Sequence, residues 1–399
     1  MRQKLFCRGD HFMRVFQTVH SLHPRKGGPA RTVPRLSEKL VQCGLCVQLL
    51  STRVHPNAPA LVPEAKKVTT EFATHSSGLG RSLQFWRLLA SHLQTIGVEI
   101  VHVHGLWRAT SLLSVLASIY FDLPLIVTPR SMLERWALNH HKWRKKFAWH
   151  TYQRRALASA QVLHATSTKE AQNLRSLGLS QPLAVIPNGV PVPNRYKQQA
   201  SSGSNKALFL SRLHPVKGLP HLIDAWAAVR PTGWELCIAG PDEDDHRATI
   251  ERQTKERGIA SEVTFIGHVS EDKKWDLYHD ADLFVLPTHS EGFGVVVAEA
   301  LASGLPVITT KGAPWKELKT HGCGWWTDIG TEPLAEALAD ATSRSDAERL
   351  AMGRRGRMLV EQNYTWPRVA EQMHEVYRWV LGEGTRPDCV SIPASQEAP

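Results

Sequence analysis

Two carboxylates, Glu291 and Glu299, lie eight positions apart, on either side of a short glycine-containing turn. The turn reads Gly292-Phe293-Gly294, and an apolar stretch typical of a helix follows it. A helix N-terminus offers free backbone N–H groups and a partial positive charge, and glycines let a ligand approach that backbone closely. Carboxylates accept hydrogen bonds from hydroxyl groups. The spacing therefore suits a ligand that carries both hydroxyls and phosphate, such as a nucleotide sugar.

The same two acids also have a purely structural interpretation. Glu291 would then stabilise the first turn of the helix through its charge, and Glu299 would be a surface side chain. The spacing alone does not decide between these readings. Neither reading favours nucleic-acid binding at this point, because nucleic-acid phosphates are bound by cations.

Two cations follow another predicted strand, residues 207–210. Arg212 and Lys217 lie in the loop after this strand and before the predicted helix at residues 219–229. In parallel sheets, ligands bind at the carboxyl ends of the strands. Arg can bind phosphate through two parallel hydrogen bonds, and Lys acts as a point charge. The pair would stabilise a diphosphate leaving group, although two solvated loop cations would show the same pattern.

A third candidate is the pair Gly27-Gly28. It follows the predicted strand at residues 14–19 and precedes a predicted helix at residues 32–43. Glycines before a helix are typical of phosphate-binding loops. A tight turn would have the same sequence.

These residues depend for their positions on a chain that alternates apolar runs with amphipathic stretches. The predicted strands are residues 14–19, 47–50, 100–103, 125–128, 162–165, 184–186, 207–210, 235–239, 263–266, 283–286 and 307–309. Such alternation predicts an α/β fold of parallel sheets covered by helices on both faces. We expect two doubly wound, Rossmann-like domains facing across a ligand-binding cleft.

A polar, proline-containing break near residue 190 predicts the domain boundary. The N-terminal domain is predicted over residues 13–190 and the C-terminal domain over 191–364. Residues 1–12 are predicted to be a disordered extension before a start at Met13, and residues 382–399, rich in Gly, Pro and Ser, a disordered tail.

The charge is unevenly distributed between these halves. The 399-residue chain has a net charge of +11, and residues 1–190 carry 25 Lys and Arg against 8 Asp and Glu. The asymmetry predicts an anionic partner for the N-terminal half, such as a membrane, a nucleic acid or a phosphorylated substrate. No apolar run approaches the ~20 residues that a membrane-spanning helix needs.

Residues 135–155 form the most basic segment, with seven Lys and Arg and no acid. Its aromatic residues include Trp136, Trp143, Phe147 and Trp149. Cations beside aromatics are typical of a helix that lies on an anionic membrane surface. The alternatives are an ordinary amphipathic helix and a nucleic-acid groove. No helix-turn-helix, zinc or RNA-recognition signature supports the last of these.

Together these motifs resemble the family 4 retaining glycosyltransferases, the group 1 family of the GT-B fold. The resemblance rests on Arg212 with Lys217, on Gly240 in the sequence CIAGP, and on Glu291 and Glu299 with their glycine turn. The sequences IPNGV at 186–190 and YTWPRVAEQMHEVY at 364–377 are similar to that family as well. The sequences HVHGLW and TPRSMLERWAL resemble the branch that builds bacterial surface polysaccharides.

The resemblance implies roles for the donor-side residues. Glu291 would bind hydroxyls of the donor sugar and Glu299 the ribose, while the backbone of Gly292-Phe293-Gly294 would contact sugar and phosphate. Arg212 and Lys217 would hold the diphosphate, so that Arg212, Lys217 and Glu291 form the catalytic set. No metal or other cofactor is expected, because cations and a helix dipole can stabilise the leaving group.

The resemblance also implies contributions from other strand ends. Gly27 and Gly28 would close the phosphate site from the first domain. The backbone at Gly267, His268 and Val269 would receive the nucleobase. Residues 365–381 would form a helix that crosses back to the N-terminal domain.

The acceptor side departs from the family pattern. The family usually has a histidine after the strand at residues 125–128, and here Arg130 stands in that position. An arginine cannot act as a general base, but it can donate to a sugar or phosphate oxygen. His104, at the end of a neighbouring strand, is the second acceptor-side candidate. An ordinary buried, hydrogen-bonded histidine is the alternative for His104.

The resemblance implies transfer of a hexose-type sugar from a nucleotide-diphosphate sugar to a saccharide or lipid-linked acceptor. Retention of anomeric configuration and a role in cell-surface polysaccharide or lipopolysaccharide synthesis are implied with it. We expect a cytoplasmic protein, peripheral on the inner face of the plasma membrane. The alternatives are a sugar-nucleotide epimerase of the same fold and a basic nucleic-acid-binding protein.

Overall fold

The computed structural model describes residues 12–75, 77–95, 97–134, 142–199, 203–243 and 245–393. It divides into two units. One comprises the described residues up to Gly189 together with those from Trp366 onward, and the other is Val190–Thr365. The predicted boundary after residue 190 lies one residue from this division. The predicted extension, apart from Phe12, falls outside the described residues.

The first unit contains an eight-stranded sheet. Its strands are β1 (Arg14–Ser21), β2 (Cys46–Thr52), β3 (Val68–Ala73), β4 (Ile100–His104), β5 (Leu125–Thr128), β6 (Val162–Ala165), β7 (Leu183–Val185) and β14 (Val390–Ser391). Their spatial order is β14-β7-β6-β5-β4-β1-β2-β3, and β14 alone among these strands pairs antiparallel. Every residue of β4, β5 and β6 is buried, as expected for central strands covered on both faces.

Helices cover this sheet and return the chain to it at the end. They are α1 (Gly28–Gln42), α2 (Gly78–Thr95), α3 (Ala109–Tyr120), α4 (Lys142–Ala148), α5 (Arg154–Ala158), α6 (Thr168–Ser176) and α14 (Trp366–Val380). A π-helical segment, Trp149–Gln153, joins α4 to α5. Met373 and Val376 of α14 pack in one apolar cluster with Val15 and Leu36. The last long helix therefore belongs to the first unit, as the resemblance implies.

The second unit is built around a six-stranded parallel sheet. Its strands are β8 (Asn205–Leu210), β9 (Trp234–Ala239), β10 (Val263–Gly267), β11 (Leu283–Leu286), β12 (Val307–Thr310) and β13 (Gly324–Thr327), in the order β10-β9-β8-β11-β12-β13. Its helices are α7 (Leu219–Val229), α8 (His246–Glu256), α9 (Lys274–Asp280), α10 (Val295–Ala302), α11 (Glu317–Thr320), α12 (Thr331–Ser343) and α13 (Asp346–Asn363). The predicted α/β fold with two parallel sheets is confirmed.

Three strands were not predicted, and all three are edge strands. β3 and β13 are mostly half-exposed, so they lack the continuous apolar run of a buried strand. β14 falls in the predicted disordered tail, and it corrects that prediction. Val390 is buried, and the carbonyl of Cys389 accepts a 2.8 Å hydrogen bond from the backbone N–H of Val185. Pairing with the β7 edge therefore orders this part of the tail.

Among the described residues, no helix is long and apolar enough to cross a membrane. This agrees with the absence of a long apolar run in the sequence.

Candidate active site

The glycine turn leads directly into α10. Gly294 precedes this helix with φ of 81°, a left-handed conformation that glycine adopts without steric cost. Phe293 is buried, and its carbonyl accepts a 2.5 Å hydrogen bond from Nε1 of Trp315. The buried Trp315 thus fixes the turn, and the free N–H groups of the first helical turn follow it.

Lys217 and Glu291 are in direct contact. The Lys217 ammonium donates to the Glu291 carboxylate, and the two side chains are 9% and 17% exposed. The sequence predicts separate roles for them, and the structure brings them together at the carboxyl edge of the sheet. Gly218 allows this approach, because a Cβ there would lie 1.9 Å from the carbonyl oxygen of Pro287.

Glu299 lies inside the fold, which contradicts its interpretation as a surface residue. It is 4% exposed. Its Oε1 accepts from Nζ of Lys274 at 2.7 Å, and its Oε2 accepts from the Tyr278 hydroxyl at 3.1 Å. Both partners lie on α9, four positions apart, so they project from the same face of that helix. Each oxygen of Glu299 retains capacity for a further donor.

Lys274 is held in its charged form. Burial by itself lowers the pKa of Lys274, but the carboxylates of Glu299 and Glu271 outweigh this effect and hold it above its usual value. Lys274 Nζ lies 2.6 Å from a carboxylate oxygen of Glu271. Sequence reasoning missed Lys274 and Tyr278. Their spacing of four positions predicts that they share one face of a helix. It does not predict that this face meets Glu299 on another helix.

The remaining donor-side residues lie at neighbouring strand ends. Arg212 is exposed and pairs with the half-buried Glu243 at 2.6 Å, so the structure does not place it on the Lys217–Glu291 pair. Gly267 ends β10 with φ of 81°, and its carbonyl accepts a 2.8 Å hydrogen bond from the N–H of Gly240. His268 is exposed and Val269 half-buried in the loop that follows.

The pair Gly27-Gly28 lies in the first unit, at the start of α1. Gly27 has φ of 83°, and a Cβ at either glycine would meet nothing within 4 Å. The first turn of α1 contains no acid. The helix end is thus open and unneutralised, and the predicted role of Gly27 and Gly28 toward phosphate stays a prediction.

The two acceptor-side candidates, His104 and Arg130, are hydrogen-bonded to each other. Nη2 of Arg130 lies 3.1 Å from Nδ1 of His104, and Nη1 donates to Oδ1 of Asn188 at 2.7 Å. His104 is 2% exposed. Arg130 and Ser131 both have positive φ, 57° and 60°.

A chain of buried hydrogen bonds lies behind His104. Nε2 of His164 is 2.8 Å from the carbonyl of Ile186, which can only accept, so the proton of His164 is on Nε2. Nδ1 of His164 then accepts from the Thr128 hydroxyl at 2.8 Å, and Thr128 accepts from Nε2 of His102 at 2.7 Å. Nδ1 of His102 therefore accepts from the Tyr377 hydroxyl at 2.7 Å. One carbonyl thus sets the tautomers of two histidines.

These histidines are neutral. Burial lowers the pKa of His102 and His104 well below the ordinary value, and the nearby histidines and Arg130 lower it further. Burial, followed by the charge of Arg130, lowers the pKa of His164 to about 3. The network therefore consists of uncharged imidazoles around one guanidinium.

The basic segment is described only from residue 142. Residues 135–141, including Arg135 and Trp136, lie outside the described residues. Trp143 and Phe147 are 72% and 69% exposed on α4, with exposed Arg144 and Lys146 beside them. Trp149 is half-buried against the apolar core, so it does not belong to this exposed aromatic surface.

No group of three or more His, Cys, Asp or Glu side chains among the described residues is arranged to hold a metal ion.

Two family models match the chain. Residues 193–358 match the model "Glycosyl transferases group 1", and residues 27–189 match "Glycosyl transferase 4-like domain". The chain belongs to the group 1 glycosyltransferases. The alternatives of an epimerase and a nucleic-acid-binding protein are thereby set aside.

Curated relatives and a solved structure agree with this assignment. A glycogen synthase of Mycobacterium tuberculosis is 26% identical over 386 residues, covering 88% of this chain and 91% of the relative. A GDP-mannose:cellobiosyl-diphosphopolyprenol alpha-mannosyltransferase of Xanthomonas campestris is 27% identical over 311 residues, covering 75% of this chain and 77% of the relative. The structure of sucrose-phosphate synthase from Thermosynechococcus elongatus matches with a TM-score of 0.75 at 20% identity, covering 93% of this chain and 100% of that one. This likeness confirms the GT-B fold.

The buried histidines predict a specific loss of stability in acid. Unfolded His164 titrates near 6.5 and folded His164 at about 3, so its contribution is present above 6.5 and is lost as the pH falls from 6.5 toward 3. His164→Gln should flatten the dependence of unfolding free energy on pH by about 1.4 kcal/mol per pH unit in this window. Urea unfolding between pH 6.5 and 4.5 measures the slope.

His150→Gln is the matched control, because His150 is an exposed histidine of the same unit. Its slope should equal that of the wild type. Equal slopes for His164→Gln and the wild type would show that His164 is not a neutral, buried group.

Proposed function

We propose that this glycosyltransferase moves a hexose-type sugar from a nucleoside-diphosphate sugar to a saccharide or lipid-linked acceptor. We further propose that the anomeric configuration is retained and that the product belongs to a cell-surface polysaccharide or lipopolysaccharide. The observation that carries the proposal is the contact of Lys217 with Glu291 beside the N-terminus of α10. It places a cation, a carboxylate and free backbone N–H groups together.

The donor would bind by exchanging partners within this cluster. The diphosphate takes the Lys217 ammonium and the N–H groups at the start of α10, where the helix dipole favours negative charge. Glu291, released from Lys217, then accepts hydrogen bonds from the sugar hydroxyls. Lys217 then pairs with the diphosphate, and hydrogen bonds from the sugar hydroxyls stabilise the Glu291 carboxylate in its place.

Glu299 would bind the ribose. Lys274 donates to one oxygen of Glu299 and Tyr278 to the other, and each oxygen can accept one more hydrogen bond. Two hydroxyls on adjacent carbons of a ribose match this geometry. The backbone around Gly267, His268 and Val269 would accommodate the nucleobase.

The catalytic contribution is electrostatic. As the bond between the sugar carbon and the phosphate oxygen breaks, negative charge grows on the diphosphate. Lys217 and the α10 N-terminus lie where this charge develops, and preorganised cations lower the barrier there. The exposed Arg212, which pairs with Glu243 in this structure, would turn to the same phosphates. With these groups the reaction is proposed to proceed without a metal.

The relative from Xanthomonas campestris supports a lipid-linked acceptor, since its name specifies a diphosphopolyprenol. Such an acceptor resides at a membrane. The exposed Trp143 and Phe147 with Arg144 and Lys146 would then contact an anionic membrane surface. Such a contact would hold the enzyme beside its acceptor, on the cytoplasmic face of the membrane.

Removing either member of the Lys217–Glu291 pair should abolish most activity. Lys217→Ala and Glu291→Gln should each lower turnover by about a hundredfold or more, as expected when one preorganised charge at the reacting centre is lost. The assay measures release of nucleoside diphosphate from a panel of UDP-, GDP- and ADP-sugars. Circular dichroism confirms that each variant is folded.

Lys206→Ala and Glu235→Gln supply the control, because these residues form a Lys–Glu pair at 3.5 Å elsewhere in the second unit. Their turnover should stay within twofold of the wild type. Near-normal turnover in Lys217→Ala or Glu291→Gln would contradict the assigned site.

The membrane surface has its own test. Replacing Arg144 and Lys146 by Gln should weaken binding to vesicles containing phosphatidylglycerol by more than tenfold, because each cation near such a surface contributes about 1 kcal/mol. Lys255→Gln with Lys319→Gln removes two exposed cations of the second unit and should have no effect. Vesicle co-sedimentation measures the binding. Unchanged binding in the Arg144 and Lys146 variant would refute the membrane contact.

A further inference from the structure

His104 carries an unpartnered donor in the buried interior of the first unit. Its Nδ1 faces Nη2 of Arg130, and a guanidinium can only donate, so Nδ1 accepts and the proton lies on Nε2. Nε2 is buried and has no hydrogen-bond partner. Nε of Arg130 is likewise buried and without a partner. The N–H groups of His104 Nε2 and Arg130 Nε, on two side chains in contact, therefore have no acceptor in this structure.

Arg130 also lacks a carboxylate in direct contact within the described part of the chain. Its guanidinium donates to an amide oxygen and an imidazole nitrogen, both uncharged. The oxygens of nearby Glu170 accept instead from the N–H groups of Ser131 and Thr166 at 2.5 and 2.7 Å. A guanidinium enclosed among neutral partners is costly, and a bound anion would relieve that cost.

Burial lowers the pKa of Arg130 only to about 10, with Glu170 and Tyr377 opposing the decrease. The guanidinium therefore remains charged at neutral pH. Arg130 as a residue retains partial exposure, while His104 is enclosed.

The backbone here is held in a sparsely populated conformation. Trp107, which follows β4, and Arg130 and Ser131, which follow β5, have φ of 67°, 57° and 60°. Non-glycine residues adopt such angles at a cost, and they concentrate at functional sites. These residues lie where two adjacent strands end, at the ligand-binding edge of a parallel sheet.

The neighbouring strand end adds further positive charge. Val19 of β1 pairs with His104 of β4, so His20 lies at the same edge. Burial, followed by the charges of Arg108, Lys26 and Arg81, lowers the pKa of His20 to about 4. The first turns of α1, α2 and α3 contain no acid. The whole edge thus attracts an anion.

We propose that Arg130 and His104 bind a negatively charged oxygen of the acceptor, a carboxylate or a phosphate. Nε2–H of His104 and the guanidinium of Arg130 are the donors, and Lys26, Arg81 and Arg108 supply the surrounding field. The assignment to the acceptor rests on the proposed function. The site makes the enzyme selective for acidic acceptors and supplies binding energy that a neutral sugar cannot use.

Titration calorimetry with matched sugars tests this selectivity. The probes are glucuronate, glucose 6-phosphate and glucose, at constant ionic strength. The wild type should bind at least one anionic probe ten times more tightly than glucose. Preference for glucuronate identifies a carboxylate as the ligand group, and preference for glucose 6-phosphate a phosphate. Equal binding of all three would overturn the proposal and leave a structural water as the partner of the two donors.

Arg130→Gln should bring the affinity for the anionic probe to within twofold of that for glucose. Arg175→Gln is the matched control, since Arg175 is a half-buried arginine of the same unit that donates to the carbonyls of Leu179 and Gln181. It should keep the preference. An Arg130→Gln variant that still prefers the anionic probe to glucose would refute the site. The anionic probe would then be bound elsewhere, for example glucose 6-phosphate at the proposed diphosphate site of the second unit.

A measurement on the wild type guards against a folding defect in the variant. In the NMR spectrum of protein labelled with 15N-histidine, the Nε2–H signal of His104 should shift with the preferred anionic probe and not with glucose. An unmoved signal would contradict the proposal. Neither measurement uses a nucleotide sugar or depends on turnover. If the proposed sugar transfer were wrong, the binding of the anionic probe could therefore still be observed.

Discussion

The charge of a buried carboxylate must be compensated by a cation or by hydrogen bonds. In the second unit lysines compensate the carboxylates of Glu291 and Glu299. Glu299 is enclosed, with Lys274 on one oxygen and Tyr278 on the other. Glu291 contacts Lys217 at the carboxyl edge of the same sheet. These contacts connect α9, α10 and the loops after β8 and β11. The sheet, the left-handed Gly294 and the buried Trp315 fix the start of α10, the helix that follows Glu291 and contains Glu299.

The two units present opposite electrostatic arrangements. In the second unit Glu291 contacts Lys217, and Glu299 shares Lys274 with Glu271, so a ligand meets carboxylates and cations that are already paired. In the first unit Arg130 has only neutral partners, one of which is His104. The Ile186 carbonyl sets the tautomers of the other two histidines, His164 and His102. The first arrangement suits a ligand with both hydroxyls and phosphate. The second suits a ligand that brings its own negative charge.

Much of the fold follows from local patterns. Buried strands such as β5 and β11 are continuous apolar runs, and the candidate side chains follow strand ends, so their placement at the sheet edges was predictable. Edge strands β3 and β13 were not, because a half-exposed strand lacks the apolar run. The partners Lys274 and Tyr278 were missed because helical spacing shows which residues share a face, but not what that face meets. Trp149 shows the same limit, since an aromatic residue in a basic segment can pack inward or outward.

The most direct measurement is a crystal structure with a bound nucleoside diphosphate, UDP or GDP. The account predicts that the diphosphate oxygens contact Lys217 Nζ and the backbone N–H groups at the start of α10. It also predicts that the ribose hydroxyls donate to Glu299, with Lys274 and Tyr278 still in place. A nucleotide bound away from α10, or a ribose that makes no contact with Glu299, would contradict the account.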